Sequence, residues 1–274
     1  MNVEYQPITV RGNDDYPLIC RYWQAEHPQA ILVLLHGIVS HSGWLESITN
    51  ELASNGISCL AADRRGAGLN NTMRGDAPDS NSLLSDLAAV LDWAHVTGLP
   101  CHLAGFCWGA NYAVNYMVSE QCLNHNVKLQ SLSLLAPSLF PSKRITEQPF
   151  ETGDSSVPDQ EPVMPIKCFT DGPAFEAFIK PDPLRLTHVS TRMNQIMAEF
   201  SQGIWMKFLR LKIPTLVVLG AEDEVVDNAA TEQLFNRLPC DPKAIHSLRA
   251  KHGLQFDSPD EVIQLVLQWV LKSS

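Results

Sequence analysis

Gly105-Phe106-Cys107-Trp108-Gly109 is the stretch on which the fold turns. The apolar run Cys101-His102-Leu103-Ala104 leads into it, and a helix-like segment over residues 110–119 follows. A strand, a sharp turn and a helix in that order make a nucleophile elbow, whose central side chain is held up above the end of a sheet. Such a turn is strained and crowded, so its flanking residues must be small. Gly105, Gly109 and Ala110 meet that need. The central position is Cys107, the candidate nucleophile.

Outward from the elbow, strands alternate with helices. Residues 3–10 and 18–23 read as two opening strands joined by the turn Gly12-Asn13-Asp14-Asp15. Residues 30–35 (AILVLL) are continuously apolar, as in a strand buried on both faces. A helix over 44–55 is closed by Gly56, and a strand follows at 57–62. Residues 83–96 have apolar positions at helical spacing, and residues 129–136 form another buried strand. This alternation implies a mainly parallel sheet with helices on both faces. The pattern breaks over residues 137–210, which are rich in Pro, Ser, Glu and Asp. A structureless loop of that length does not suit a compact domain, so a cap or lid is expected there, with helical pieces at 174–179 and 187–202. Alternation resumes at 214–220 (PTLVVLG), 228–238 and 244–248, and a helix over 259–272 ends the chain. The expected division is a core of 1–136 and 211–274 with a cap of 137–210.

Bulk properties exclude several classes. The net charge of −10 argues against nucleic acid as a partner and against attachment to anionic membranes. No apolar stretch is long enough to cross a bilayer, and the N-terminus has no signal-peptide pattern. The seven cysteines are scattered, without a C-x-x-C pair, which points to a reducing compartment and a cytoplasmic location. No metal or cofactor is expected.

Covalent acyl chemistry needs a nucleophile, a base, an orienting acid and an oxyanion hole. Ends of parallel strands, where open α/β sheets bind ligands, offer each. Asp223 lies just past PTLVVLG and is the candidate acid, with Asp227 as its rival. His252, in Ala250-Lys251-His252-Gly253, is the candidate base. His246 falls within a strand and is the weaker choice. His36-Gly37 closes AILVLL. The amide of Ile38 could supply one oxyanion donor and that of Trp108 the other. His36 and His41 read as anchors of the oxyanion loop. Asp63, Arg64 and Arg65 read as loop-fixing charges. His36, Trp44, Met193, Met197 and Trp205 are candidates for the substrate pocket.

Taken together, the HG after the third strand, Asp63-Arg64-Arg65-Gly66-Ala67-Gly68 after the fourth, the elbow, the cap, Gly220-Ala221-Glu222-Asp223 and the late His252-Gly253 resemble the α/β-hydrolase superfamily. Within it, the chain is similar to the monoacylglycerol lipase and lysophospholipase group. The resemblance implies a mainly parallel eight-stranded sheet with the cap inserted after the sixth strand, and the triad order nucleophile, Asp, His. The chain departs from that group in two places. Cys107 replaces serine, and His36-Gly37-Ile38-Val39 lacks a second glycine. The elbow GFCWGA looks like those of dienelactone hydrolases, polyhydroxyalkanoate synthases and Cys-dependent cyclases. A thiol implies a thioester intermediate, reached most readily from activated donors such as acyl-carrier or coenzyme A thioesters and lactones. Three functions follow as expectations: hydrolysis of an apolar acyl ester or thioester, bond-forming acyl transfer or cyclisation, and non-catalytic ligand binding.

Overall fold

A computed structural model describes residues 3–143, 160–162 and 164–274, with backbone alone over 160–162. The expected cap therefore lies outside the described residues over 144–159 and at 163. The elements run β1 (Gln6–Arg11), β2 (Pro17–Trp23), β3 (Ala30–Leu35), α1 (Glu46–Ser54), β4 (Ile57–Ala62), α2 (Ser80–His95), β5 (Cys101–Phe106), α3 (Trp108–Met117), α4 (Glu120–Leu123) and β6 (Leu129–Leu135). They continue with β7 (Gln160–Pro162), α5 (Pro173–Ile179), β8 (His188–Ser190), α6 (Thr191–Ser201) and α7 (Ile204–Phe208). The last are β9 (Thr215–Gly220), α8 (Asn228–Asn236), β10 (Lys243–Leu248), α9 (Leu254–Asp257) and α10 (Pro259–Ser273).

Eight strands form one sheet in the order β1-β2-β4-β3-β5-β6-β9-β10. Within this sheet β1–β2 and β2–β4 pair antiparallel, and β4, β3, β5, β6, β9 and β10 are mutually parallel. This is the α/β-hydrolase fold. Period-two alternation divides the core between the two faces. In β3, Ile31, Val33 and Leu35 join the cluster under α2 and α3. Ala30, Leu32 and Leu34 join the cluster under α1 and α10. A strand buried on both sides must be apolar throughout, which is why AILVLL carries no polar residue.

Among the boundaries that differ from the expectation, three have a local reason. The first strand starts at Gln6 rather than residue 3, and pairing with β2 ends at Gln6↔Tyr22. The helix expected from residue 44 begins as a 3-10 turn at Ser42–Leu45, because His41 caps it through Nδ1, which accepts from the Gly43 amide at 3.1 Å. The helix expected from residue 187 starts at Thr191, where Ser190 Oγ accepts from Met193 N at 2.9 Å. Residues 188–190 instead pair with β7 as a two-stranded antiparallel ribbon. That short pairing has no hydrophobic alternation to announce it.

Among the described residues, no helix is long and apolar enough to cross a membrane.

Candidate active site

The elbow forms as its sequence requires. Cys107 takes φ 53° and ψ −121°, between the end of β5 and the start of α3. A left-handed φ at a residue with a side chain costs roughly 1–3 kcal/mol and persists only where the surroundings impose it. Here the Cys107 amide donates to the Leu135 carbonyl at 2.9 Å, and the Cys107 carbonyl accepts from Ala110 and Ser138. The two glycines of G-x-C-x-G are steric necessities. A Cβ at Gly105 would stand 2.4 Å from the Gly109 carbonyl oxygen, and one at Gly109 would stand 2.5 Å from that of Leu35. Gly37 backs directly onto the nucleophile, since a Cβ there would meet Cys107 Cβ at 3.1 Å and Sγ at 3.5 Å.

His252 arrives from the loop between β10 and α9, and Asp223 from the turn after β9. The His252 Nδ1–H donates to Asp223 Oδ2 at 2.7 Å, and both side chains are fully buried. Asp223 Oδ1 accepts from the amides of Val225 and Val226 at 2.8 and 3.3 Å, which fixes the carboxylate toward the imidazole. His252 Nε2 is buried with no hydrogen-bond partner. Cys107 is near enough for its charge to act on the ring. Burial works against the charged imidazolium, yet the charges of Cys107 and Asp223 outweigh it and raise the His252 pKa well above the ordinary value. The three residues nominated from sequence therefore meet in one place. The rivals do not. Asp227 caps α8, accepting from the Ala230 amide at 2.9 Å. His246 is exposed on the edge strand β10.

The oxyanion loop is anchored from behind. The Arg64 amide donates to His36 Nε2 at 2.9 Å, so Nδ1 carries the ring proton and donates to the Gly37 carbonyl at 2.7 Å. That peptide unit carries the Ile38 N–H on its other side, so His36 both orients and polarises a candidate oxyanion donor. Burial, and next the charge of Arg64, push the His36 pKa down to about 3. The ring is neutral and fixed in one tautomer. Among the described residues, neither the Ile38 nor the Trp108 amide is engaged by another hydrogen bond.

Aromatic rings wall the site. Trp44 meets Phe169 at 5.8 Å and Phe256 at 5.6 Å, and Phe169 meets His252 at 5.8 Å. Trp108 stacks on Phe200 of α6 at 5.5 Å. Met193, also on α6, is buried, and Met197 packs against the core from a half-buried position. Trp205 is not drawn in. It is 47% exposed on α7, whose buried face is Ile204 and Phe208. Sequence reasoning missed Phe169, Phe200, Phe256 and Asp182. Asp182 Oδ2 accepts from His41 Nε2 at 2.8 Å and from Trp44 Nε1 at 2.6 Å, and its Oδ1 accepts from the Leu184 amide. Burial opposes its charge, but the bonds from Trp44 and His41 hold its pKa below the usual carboxylate value. The segment Asp182-Pro183-Leu184 carries no motif that would have shown this. Among the described residues, no group of three His, Cys, Asp or Glu could hold a metal ion.

The family model described as serine aminopeptidase, S33 (Hydrolase_4) matches residues 26–259. Among curated proteins, the chain is 22% identical over 268 residues to an uncharacterized abhydrolase domain-containing protein of Dictyostelium discoideum, covering 94% of this chain and 28% of that protein. It is 21% identical over 260 residues to phospholipase YtpA of Bacillus subtilis (strain 168), covering 87% and 93%. Its fold matches that of a soluble variant of monoglyceride lipase from Saccharomyces cerevisiae, in complex with a substrate analog, with a TM-score of 0.82 at 17% identity, covering 100% of this chain and 96% of that one. The chain thus spans under a third of the Dictyostelium relative and most of the other two.

Proposed function

This chain belongs to the serine aminopeptidase S33 (Hydrolase_4) family of the α/β-hydrolase class, and from that premise we propose that it processes ester- or thioester-linked acyl groups through a covalent acyl-Cys107 intermediate. Support for acyl ester chemistry comes from the phospholipase and monoglyceride lipase named among its relatives and fold neighbours. The observation that carries the thiol reading is geometric: Cys107 stands on a strained elbow beside a buried His252 that is bonded to Asp223.

The steps follow from the positions. The sulfur of Cys107 attacks the acyl carbonyl, and its proton passes to His252 Nε2. Asp223 holds the imidazole and stabilises its positive charge. The carbonyl oxygen gains negative charge within reach of the Ile38 and Trp108 amides. Collapse of the tetrahedral intermediate re-forms the carbonyl and breaks the bond to the leaving alcohol or thiol, which takes the proton from His252. An acyl thioester remains on Cys107. An acceptor then attacks that carbonyl, gives its proton to His252, and releases the thiol of Cys107 with the acyl group transferred. Forming a thioester from an ordinary ester is uphill, whereas exchange between thioesters is nearly level. A thiol nucleophile therefore suits activated donors, carrier- or coenzyme A-linked. Trp44, Phe169 and Phe256 beside His252, and Phe200 against Trp108, form the aromatic wall that would receive the acyl chain.

A specific observation favours a second reading, transfer to an acceptor other than water. Cys107 is only 7% exposed and His252 is fully covered by Phe169 and its neighbours. A site this closed limits the entry of bulk water during the lifetime of the thioester.

Intact-protein mass spectrometry with one acyl group, presented as a thioester and as an oxygen ester, tests the proposal. An adduct on Cys107, absent in Cys107→Ala, is expected, with the thioester reacting faster. Cys107→Ser should lose that preference. An active Cys107→Ala enzyme would sink the reading.

A further inference from the structure

The loop that carries His252 is held by its backbone on both sides of the imidazole. On one side, the Lys251 amide donates to Asp257 Oδ2 at 2.9 Å. On the other, the Gly253 amide donates to the Phe169 carbonyl at 2.8 Å. That approach is close, for a Cβ at Gly253 would stand 2.5 Å from the Phe169 carbonyl oxygen. A glycine after the histidine lets the two chain segments meet. The two acceptors come from different places. Asp257 is the last residue of α9, and Phe169 lies in the stretch 137–210 where the cap is expected.

Asp257 joins the two sides. While its Oδ2 holds the Lys251 amide, its Oδ1 accepts from Thr170 Oγ1 at 2.6 Å. The Thr170 side chain is committed in both directions, since its Oγ1 also accepts from the Gly172 amide at 2.9 Å. Thr170 is wholly buried and Asp257 half-buried. A chain of hydrogen bonds therefore runs from Gly172 through Thr170 and Asp257 to the amide one residue before His252. Breaking it leaves a buried hydroxyl or a carboxylate oxygen unmet, at a cost of about 1–3 kcal/mol. Lys251 adds an outer tie, from Nζ to Asp171 Oδ1 at 2.6 Å. Asp171 is 74% exposed, so that pair contributes little. The Asp223 bond to Nδ1 sets the direction of the ring, but it does not fix the backbone from which the ring hangs.

We propose that Asp257 is a positioning residue for the base, acting with Thr170: its carboxylate couples residues 167–172 to the backbone beside His252, so that the imidazole is aimed at Cys107 and Asp223 only while that segment is seated. The inference rests on the acyl-Cys107 reading for its effect on rate, and on the His252–Asp223 bond alone for its effect on the ring. Neither Asp257 nor Thr170 touches the reacting atoms. A base displaced by a fraction of an ångström still binds nothing differently, but it meets the thiol proton at the wrong distance and angle, and rate is what suffers.

Three variants of the full chain test it: Asp257→Ala, Asp257→Asn, and Thr170→Val, which removes the hydroxyl at nearly constant shape and leaves every charge in place. The first readout is the proton NMR resonance of the His252 Nδ1–H shared with Asp223, assigned by its loss in His252→Gln. It should broaden through exchange with water in Asp257→Ala and Thr170→Val, and less in Asp257→Asn, which keeps an acceptor. The second is Cys107 acylation by the N-acetylcysteamine thioester of butyrate, read by intact mass. The maximal rate should fall about tenfold to a hundredfold in Asp257→Ala, with the half-saturating concentration changed by less than about twofold. A bond that only stabilises the fold would lower the melting temperature and leave the resonance and the maximal rate as they are, and that result overturns the proposal. So does an equal loss in Asp257→Asn and Asp257→Ala with Thr170→Val unaffected, which would reduce the effect to the carboxylate charge. If the wild type is not acylated, the acyl-Cys107 reading fails, and the resonance still decides whether Asp257 and Thr170 position the base. Should Asp257→Ala not fold, Thr170→Val decides it on both readouts.

Discussion

Cys107 has a property that its six companions lack: a position from which it can react. Cys20, Cys59, Cys101, Cys168 and Cys240 are buried and Cys122 is half-buried, and burial pushes the thiols of Cys20, Cys59, Cys101, Cys122 and Cys240 up, Cys101 to about 12. Protonated thiols are poor nucleophiles at neutral pH. Iodoacetamide at pH 7 should therefore modify Cys107 first, and His252→Ala should slow that reaction. Peptide mapping that finds another cysteine labelled faster would count against the assignment. The acid can be tested as sharply. Asp223 faces the imidazole, while Asp227 is occupied with the α8 amide. Asp223→Asn should cut kcat by several orders of magnitude, since a misheld imidazole loses most of its function as base. Asp227→Asn should cost only part of a cap, of order 1 kcal/mol in stability, with little change in kcat. The reverse ranking would move the acid to Asp227.

At the scale of elements, the segment carrying Asp182 is tied to the core by many polar contacts. Asp182 grips Trp44 and His41, Arg74 donates to the carbonyls of Pro183 and Arg185, and Asp76 pairs with Arg192. The exposed ion pairs contribute little individually. The half-buried Asp182 is a different case, because its two bonds set the position of an indole that packs on Phe169 and, through it, on His252. Asp182→Ala should raise hydrogen–deuterium exchange in residues 182–190 and 41–45 while the sheet stays protected. Unchanged exchange there would show that the contact is not what holds this segment down. Much of this layer was not legible in the sequence. Strands announced themselves through runs such as AILVLL and PTLVVLG, and the elbow through Gly105 and Gly109, because burial and steric crowding leave few alternatives. Cys107, Asp223 and His252 were legible for the same reason: each follows a strand end. Asp182, Phe169 and Phe200 were not, because they meet the site through tertiary packing, and nothing local distinguishes them from other loop and helix residues. Trp205 was misjudged on the same ground, since helical spacing does not say which face is inward.

For the molecule as a whole, two buried histidines should govern the acid limb of stability. Burial and the Arg64 charge hold His36 at a pKa of about 3, and burial holds His102 at about 4. In the unfolded chain both would titrate near 6.5. The folded state thus refuses protons that the unfolded state accepts. Stability from these groups is fully present above about pH 6.5 and is lost as pH falls toward 4. His252, shifted the other way, is charged in both states below that pH and adds no slope there. The melting temperature should fall between pH 6.5 and 4.5, and His102→Gln should flatten the fall. An equal slope in that variant would remove His102 from the account. The order of strands carries one more consequence. β6 pairs with β5 on one side and β9 on the other, and residues 136–214 separate β6 from β9 along the chain. During synthesis, the Leu129–Leu135 strand is complete well before its second neighbour exists. Until then it presents an open, apolar edge to other nascent chains. A chain stopped at residue 212 should accumulate as insoluble aggregate or bound to chaperones. Supplying residues 213–274 in trans should restore solubility if docking of β9 is what closes that edge. Premature termination in the last quarter of this protein would then be a burden on quality control, beyond a loss of activity.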